Sequence, residues 1–400
     1  IQKKYLSGVM ERGSSVKISV ITVCLNSVKT IERTIRSVQN QMYDDLEYII
    51  IDGGSTDGTV EIIKRYEEFV SCWISEDDDG LYDAMNKGIA KATGEIIAFL
   101  NSDDWYEDNT LATVNRYYGK YNPMILIGRV QELQKGKWEK YVSIWESDKE
   151  NIRMAMIYAQ PATFTRREIF DRLGGFNTSY KIGGDFEWML RVYDSGTEIM
   201  CVEDVFTNFS RTGISNTKLD QTVREARKIA LAALERCEKY DNLQKAEWRE
   251  KINSLYDKEQ AMADVRMSIR NQCLADYPKL KSSMLEYFTE ASYVVWGTGI
   301  IGEDMYRLLM QLDLDVEFFV DRKVDSSTLT FHDRNVLSPQ KLTRDNKIIV
   351  ASWDYEDEMA DQLEKMGFRK ERDYFLYSEI LSKLVETYMK CYLSHEYREL

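Results

Sequence analysis

The 400-residue sequence has little histidine, no long apolar run and no excess of positive charge. Its two histidines, His332 and His395, lie late in the chain, so histidine cannot act as a general base in the part before them. No apolar run reaches the ~18 residues that span a bilayer, and the N-terminal stretch lacks the apolar centre of a signal peptide. We therefore expect a cytoplasmic protein, free or peripheral to the inner face of a membrane.

The charge balance and the cysteines exclude further classes of protein. Lys and Arg number 53 and Asp and Glu number 67, and the net charge of −14 argues against a partner such as DNA or RNA. The six cysteines form no C-x-x-C pair and no spacing typical of a disulfide framework or a zinc site. Reduced thiols are expected. A hydrophobic content of 44% is ordinary for a folded protein.

The alternation of apolar runs and amphipathic segments predicts an α/β domain over residues 17–215, after an N-terminal extension of residues 1–16. Five apolar runs predict the strands of a mainly parallel sheet covered by helices. They are "KISVITVC", "LEYIIID", "CWIS", "EIIAFL" and "PMILIG". Later pieces, among them "KWEKYVSI", "TEIMCV" and "VFTNFS", predict an elaboration of the same domain.

Helix formers dominate residues 216–290, which are nearly free of Gly and Pro and predict a helical connector. Its apolar stripe has helical spacing and favours packing in a bundle, with self-association into a homo-oligomer as a further prediction. The stripe consists of Val223, Ala226, Ile229, Ala230, Ala233, Leu234 and Cys237. Strand and helix alternate again over residues 291–400, which predict a second, smaller α/β domain.

Two strand ends carry polar residues at the edge where parallel sheets bind ligands. "DGGSTDGT" follows the strand "YIII", and its glycines either let a ligand approach the backbone or simply form a turn before a capped helix. "NSDDW" follows "EIIAFL" and sets Asp103 beside Asp104. Adjacent carboxylates repel each other unless a cation or strong donors lie between them, which favours a metal site.

Four segments together resemble the family 2 glycosyltransferases with the GT-A fold, which are inverting enzymes that use nucleotide-diphospho-sugars. The segments are "KISVITVCLNSVKTIERTIRSVQNQ", "LEYIIIDGGSTDGTVEII", "DGLYDAMNKGIAKATGEIIAFLNSDD" and "LGGFNTSYKIGGDFEWMLRV". The resemblance covers about residues 17–215 and implies a D-x-D-like metal motif in "NSDD", where Asn101 stands for the first Asp. It implies Asp103 as a direct ligand of Mg²⁺ or Mn²⁺ and Asp104 as a ligand through water.

The resemblance also implies the donor contacts. The family often uses the second Asp of a "DDGS" run for the nucleotide, but Gly53 occupies that position here and only Asp52 precedes it. The candidates for binding the donor are Asp52, Asp79, Asp83, Asn86, Lys87, Ser102 and Asp103. For the run from Asp79 to Lys87, a capped helix without a ligand stays the alternative interpretation.

For the catalytic base, the family's carboxylate at the start of a helix corresponds to Asp185 in "GGDFEWMLR". Glu187 lies about 200° further round a helix, so both carboxylates can hardly face one site. Gln160 and Trp188 are candidates for the acceptor side, although Trp188 also suits an ordinary core. The acceptor expected is a saccharide or a lipid-linked saccharide in cell-envelope or capsule assembly.

The C-terminal domain contains G-x-G-x-x-G at Gly297, Gly299 and Gly302, between a predicted strand and a helix, with Asp321 closing the next strand. It resembles Rossmann-like domains that bind a nucleotide or dinucleotide. A Tyr-x-x-x-Lys pair is missing, so a binding or scaffolding role is favoured over hydride transfer. An NAD-dependent enzyme that modifies nucleotide-sugars, such as an oxidoreductase or epimerase, and a non-catalytic nucleotide-sugar-binding module stay open as alternatives.

Overall fold

The computed structural model of the chain describes residues 15–134, 137–141, 152–210, 218–322, 329–352 and 355–392. It divides into two compact units, one ending at Ile252 and the other beginning at Asn253. The boundary lies inside the predicted connector of residues 216–290. Each unit has its own sheet.

The sheet of the first unit is built from nine strands of the described chain. They are β1 Ile18–Cys24, β2 Leu46–Asp52, β3 Cys72–Ser75, β4 Ile96–Phe99, β5 Trp105–Tyr106, β6 Ile125–Gln134, β7 Lys137–Tyr141, β8 Thr163–Arg166 and β9 Ile199–Phe209. Their spatial order is β3-β2-β1-β4-β8-β6-β9-β5, with β7 paired to β6. The first four strands are parallel, whereas β8 runs antiparallel to β4 and β6. The predicted parallel arrangement is confirmed for β1 to β4, but the sheet as a whole is mixed, because the β5–β9 and β6–β7 pairs are also antiparallel.

Helices cover both faces of this sheet, which explains why every residue of β1 is buried. They are α1 Ile31–Gln39, α2 Thr59–Arg65, α3 Leu81–Lys91, α4 Thr110–Tyr121, α5 Arg167–Leu173, α6 Gly184–Asp194 and α7 Leu219–Arg236, with a short 3-10 helix Gln160–Ala162. On α1, Ile31, Ile35 and Val38 recur at helical spacing and are fully buried. The sequence predicted two separate strand pieces in "TEIMCV" and "VFTNFS", but β9 is one continuous strand.

The apolar stripe of the predicted connector lies on α7 and at its end. All of its members except the partly exposed Ala226 are buried, so the stripe belongs to a core, while its packing in a bundle of connector helices stays a prediction. Helix α7 packs against α6 within the first unit. None of the helices among the described residues is both long and apolar enough to cross a membrane.

The second unit contains a smaller sheet. Its strands are β10 Ser292–Trp296, β11 Asp315–Val320, β12 Leu329–Phe331, β13 Arg334–Leu337, β14 Ile348–Val350 and β15 Tyr374–Leu376, in the order β12-β13-β11-β10-β14-β15. Helix α8 Asn242–Arg270 contains the boundary between the two units. The helices of the second unit after it are α9 Pro278–Tyr287, α10 Ile300–Gln311, α11 Glu356–Lys365 and α12 Tyr377–Cys391, with 3-10 turns Leu274–Asp276 and Pro339–Lys341. All strand pairs are parallel except the β12–β13 hairpin. Of these strands, β10 comes first in the chain and has a parallel neighbour on each side, β11 and β14. This arrangement is typical of doubly wound α/β sheets.

Candidate active site

The carboxyl ends of β1, β2 and β3 lie level with one another. Cys24 pairs in register with Asp52, and Asp52 pairs with Ser75. The loops that follow these strands therefore leave the sheet side by side, as expected for a ligand-binding edge.

Asp52 is fully buried and its carboxylate is occupied by local hydrogen bonds. Its Oδ2 accepts from the Ser55 backbone N–H at 2.9 Å and from the Ser75 hydroxyl at 2.7 Å, and its Oδ1 accepts from the Ser55 hydroxyl. These bonds shape the loop after β2. A direct contact between Asp52 and the donor stays a prediction.

The glycines after Asp52 make room for two carboxylates from the loop after β3. A Cβ atom at Gly53 would overlap Oδ2 of Asp78, and one at Gly54 would lie 2.7 Å from Oδ1 of Asp77. Gly54 also has φ +82°, which disfavours other residues. The carboxylate of Asp78 thus occupies the space that a side chain at position 53 would fill. Sequence reasoning missed Asp78, although the acidic run after "CWIS" was a visible signal.

Hydrogen bonds connect the loops after β1, β2 and β4. The Asn26 N–H donates to the Ser55 hydroxyl at 2.7 Å, and Asn26 Oδ1 accepts from the Thr56 N–H at 3.0 Å. The hydroxyls of Ser27 and Ser102 lie 2.8 Å apart. The predicted donor residue Ser102 therefore shares one continuous surface with the loops around Asp52.

Helix α1 fixes the backbone of the "NSDD" segment. Arg33 donates to the Asp103 carbonyl at 2.8 Å, and the Thr34 hydroxyl donates to the Asp104 carbonyl at 2.7 Å. Asp104 is buried, and its Oδ1 accepts from the Ser210 N–H at 2.9 Å. Asp103 is partly exposed at the same strand end.

Two buried oxygen atoms of this segment have no hydrogen-bond partner among the described residues. They are Oδ1 of Asn101 and Oδ2 of Asp104, which stand on either side of Asp103 in the chain. Burial, and then the charge of Asp103, raise the pKa of the Asp104 carboxyl well above its usual range. Hard oxygen atoms that lack donors suit Mg²⁺ or Mn²⁺ and its bound water. No group of three or more metal-ligating side chains occurs in the described part of the chain, so such a cation would need water or phosphate oxygens as further ligands.

The predicted donor residues on α3 are held mainly by one another. Lys87 lies 3.0 Å from Glu76 and 3.2 Å from Asp83, and Oδ2 of Asp83 accepts from the Asp79 N–H at 3.2 Å. Asn86 uses both ends of its amide on the backbone of Phe176, at 2.8 Å each. Asn86 therefore joins α3 to the "GGF" turn before α6.

Asp185 lies in the first turn of α6, and its Oδ1 accepts hydrogen bonds from two groups. They are the Phe186 N–H at 2.9 Å and the Tyr82 hydroxyl of α3 at 3.0 Å. Burial raises the pKa of the Asp185 carboxyl, and these hydrogen bonds partly oppose the rise. Asp185 also lines a small cavity together with Gln160. A carboxylate with a raised pKa in a cavity has the properties of a general base.

Glu187 has different surroundings from Asp185. It is buried and pairs with Arg191 at 3.0 Å and with Arg236 of α7 at 3.6 Å. Its carboxylate therefore holds α6 against α7 instead of facing the cavity.

Trp188 belongs to an aromatic cluster. Its ring stacks on Phe170 with centroids 4.5 Å apart, and its Nε1–H donates to the Gly174 carbonyl at 3.0 Å. Only 3% of its surface is exposed. The burial and the stack on Phe170 favour the core interpretation of Trp188, although its side chain also lines the cavity at Asp185 and Gln160. A contact between Trp188 and an acceptor sugar stays a prediction.

The predicted nucleotide loop of the second unit has the geometry of a close turn. Gly297 has φ +133°, and a Cβ atom there would lie 2.5 Å from the Ala351 carbonyl oxygen. A Cβ atom at Gly302 would overlap the Gly297 carbonyl, and Gly299 directly precedes α10. Oδ2 of Asp321 accepts from the Thr298 hydroxyl at 2.6 Å. The three glycines and Asp321 are therefore brought together.

Residues 19–184 match the family described as Glycosyl transferase family 2, and residues 290–373 match one described as C2185-like, N-terminal. An uncharacterized glycosyltransferase of Mycobacterium tuberculosis is 30% identical over 213 residues, 51% of this chain and 78% of that protein. A PGL/p-HBAD biosynthesis glycosyltransferase of Mycobacterium bovis is 29% identical over 212 residues, 51% of this chain and 80% of that protein. The structure of S. aureus TarS 1-349 in complex with UDP-GlcNAc is 17% identical with a TM-score of 0.49, covering 64% of this chain and 81% of that one.

The first unit therefore has the GT-A fold, and the chain is a glycosyltransferase. It belongs to glycosyl transferase family 2.

Proposed function

We propose that the chain transfers a single sugar, with inversion, from a nucleotide-diphospho-sugar to a hydroxyl group of a saccharide or lipid-linked saccharide. The observation that carries this proposal is the pair of buried, unpartnered oxygens of Asn101 and Asp104 beside Asp103. A diphosphate leaving group gathers negative charge, and this strand end offers oxygen ligands for a cation that would neutralise it.

Asp103, together with Asp104 directly or through water, would hold Mg²⁺ or Mn²⁺. When bound, the cation supplies Lewis-acid stabilisation of the departing diphosphate. The residues fit a hard cation because they present oxygen atoms and neither thiolate nor imidazole.

The donor would lie along the joined loops after β1, β2 and β4 and the start of α3. Ser102, Asp79, Asp83 and Lys87 would contact the donor at this edge. Asp52 and Asn86 hold the surrounding backbone, and their direct contact with the donor stays a prediction. Asp78 supplies a carboxylate over Gly53, where the family resemblance implies an aspartate.

On the acceptor side, Asp185 would take the proton from the attacking hydroxyl as the new glycosidic bond forms. The raised pKa makes the Asp185 carboxylate a stronger base. The carboxyl is ionised, and so able to act as a base, at pH values above that pKa. Gln160 lines the same cavity and would orient the acceptor. Cytoplasmic location and self-association stay predictions.

A panel of donors tests this function. The full chain is incubated with Mn²⁺ and UDP-glucose, UDP-galactose, UDP-N-acetylglucosamine, GDP-mannose or dTDP-rhamnose, with p-nitrophenyl glycosides as acceptors. Release of nucleoside diphosphate with formation of a disaccharide supports the proposal. Absence of turnover with bound donor would instead favour the non-catalytic binding module, and reduction of NAD⁺ would favour the NAD-dependent alternative.

The second unit is a candidate for a separate nucleotide-binding function. Helix α10 begins directly after the turn at Gly297, and the first N–H groups of a helix lack intrahelical partners and suit a phosphate. We propose that it binds a nucleotide or dinucleotide without hydride transfer.

A further inference from the structure

Glu225 of α7 accepts hydrogen bonds from three consecutive backbone N–H groups in the loop before α6. Its Oε2 lies 3.0 Å from the nitrogen of Lys181, 2.8 Å from that of Ile182 and 3.1 Å from that of Gly183. Its Oε1 accepts from Lys181 N–H at 3.1 Å and from the Gln221 side chain at 3.0 Å. One carboxylate therefore holds the whole segment that leads to α6.

The negative charge of Glu225 strengthens its hydrogen bonds to the loop before α6. Burial alone would raise the pKa of the Glu225 carboxyl, but the amide hydrogen bonds outweigh it and lower that pKa overall. Glu225 is thus ionised at neutral pH, and hydrogen bonds from N–H groups to an ionised carboxylate are stronger than those to a neutral acceptor.

Close packing between α7 and the loop before α6 continues one helical turn after Glu225. Ile229, four residues after Glu225, is fully buried, and a Cβ atom at Gly183 would lie 2.6 Å from its Cδ1. Glycine at position 183 therefore lets α7 approach the loop closely enough for Glu225 to reach the amides.

The opposite side of the loop is held by the donor segment. Lys181 Nζ donates to the Asp79 carbonyl at 2.8 Å, and the Tyr82 hydroxyl contacts both the Ile182 carbonyl and Asp185. The loop is therefore fixed between α3 on one side and Glu225 on the other. Asp185 follows this loop directly, at the second position of α6.

We propose that Glu225 is a positioning residue that sets the carboxylate of Asp185 for the transfer reaction. This inference rests on the proposed function, in which Asp185 is the general base. Asp185 and Glu225 both follow residues 19–184, which match the family, and they lie on the successive helices α6 and α7. Both oxygens of Glu225 are already engaged by the loop and Gln221, so the side chain acts through the backbone and does not contact substrate.

The test compares Glu225→Gln and Glu225→Ala with Glu235→Gln, the same change at an exposed position of the same helix. Glutamine keeps the size of the side chain but loses its charge and one acceptor oxygen. We expect kcat for transfer from the best donor of the panel to fall roughly tenfold to a hundredfold in Glu225→Gln, because small displacements of a catalytic group cost about that much. Alanine should cost at least as much, while the KM and Kd for donor stay within about twofold.

Amide hydrogen exchange provides a readout that does not depend on activity. Protection of the Ile182 and Gly183 amides should fall in Glu225→Gln and remain unchanged in Glu235→Gln. Unchanged kcat in Glu225→Gln would overturn the inference, and so would a loss of donor affinity as large as the loss of kcat, since that pattern indicates general unfolding. If the parent chain itself turns over no donor, the proposed function fails first and the inference falls with it.

Discussion

The hydroxyl of Tyr82 lies 3.0 Å from Oδ1 of Asp185, so the predicted donor segment on α3 touches the predicted base on α6. The same hydroxyl also contacts the Ile182 carbonyl in the loop before α6, so its single proton is shared between the two acceptors. Tyr82 is buried, and burial followed by the charge of Asp185 raise its own pKa well above the usual range. The phenol therefore stays protonated and can act as a hydrogen-bond donor at all working pH values.

We expect Tyr82→Phe to move the acidic limb of the kcat profile to higher pH. Burial raises the pKa of Asp185 and the Tyr82 hydroxyl lowers it, so removal of the hydroxyl raises that pKa further. A protonated carboxyl cannot accept the proton of the acceptor, so activity is lost as pH falls through the raised pKa. The measurement is kcat from about pH 4 to pH 8. Tyr118→Phe is the control, because that buried hydroxyl donates to the Phe164 carbonyl instead. Superimposable limbs for the parent and Tyr82→Phe would refute the link.

Asp185→Asn should lower turnover roughly a hundred- to ten-thousand-fold, because the amide keeps the shape of the side chain but cannot take a proton. Donor affinity, measured by calorimetry, should scarcely change. Glu187→Gln is the control: loss of its ion pairs with Arg191 and Arg236 should lower stability and leave turnover near the parent value. The assignment is wrong if Asp185→Asn transfers sugar at the parent rate, or if Glu187→Gln alone is inactive while it binds donor normally.

The same substitution should change how stability depends on pH. A raised pKa in the folded state means that Asp185 stabilises the fold most when protonated, below its unfolded pKa of about 3.9, and that this contribution is lost as pH rises through the folded value. Asp185→Asn has no such titration. We measure the melting temperatures of the variant and the parent at about pH 4 and about pH 7. The melting temperature of the variant relative to that of the parent should be higher at the second pH than at the first. An equal difference in melting temperature at both pH values would contradict the raised pKa.

Removal of the divalent cation, or Asp103→Asn, should abolish most of the transfer activity. Calorimetry with Mn²⁺ in the presence of UDP or GDP should show weaker cation binding for the variant than for the parent. Asp108→Asn is the matched control, because this exposed aspartate follows in the same stretch of chain without entering the "NSDD" turn. Full turnover in excess EDTA would rule out the metal requirement.

Gly299→Ala should weaken binding of NAD⁺ or NADH to the second unit and leave donor hydrolysis nearly unchanged. Gly299 directly precedes α10 with φ −83°, a value that alanine also adopts, and the added methyl group is expected to hinder the approach of a phosphate to the helix N-terminus. Fluorescence titration with NADH measures the effect. Reduction of NAD⁺ by any nucleotide-sugar of the panel would refute a pure binding role, and no binding by the parent would favour a scaffold.

The strands and the residues at their ends were predictable because the signals are local. The apolar runs gave β1 to β4, and Asp52 and Asp103 lie at or just beyond the carboxyl ends of β2 and β4 as the sequence indicated. Strand ends can be located from short patterns without knowledge of the tertiary contacts.

Contacts between distant segments were not predictable in the same way. Glu225 reaches Ile182, and Asp78 reaches the space above Gly53, only because helices and strands far apart in the chain pack together. A glutamate in a helix-forming run that holds several charged residues resembles a solvated surface residue, so nothing in the sequence marked the role of Glu225. For Trp188 the sequence allowed two environments, and packing against Phe170 favours one of them.

The hydrogen bonds of Glu225 to the loop before α6 can form only late in synthesis of the chain, because Glu225 follows that loop in the sequence. A ribosome delivers "NSDD" and Asp185 well before α7, so the nascent enzyme carries its motifs while the loop at Lys181, Ile182 and Gly183 still lacks its carboxylate partner. A recombinant fragment that keeps α6 but ends before α7 would permanently lack this carboxylate partner. Helix α7 is therefore the last-synthesised part of the proposed active site, and its Glu225 binds the loop before α6 only after the residues of that site have been made.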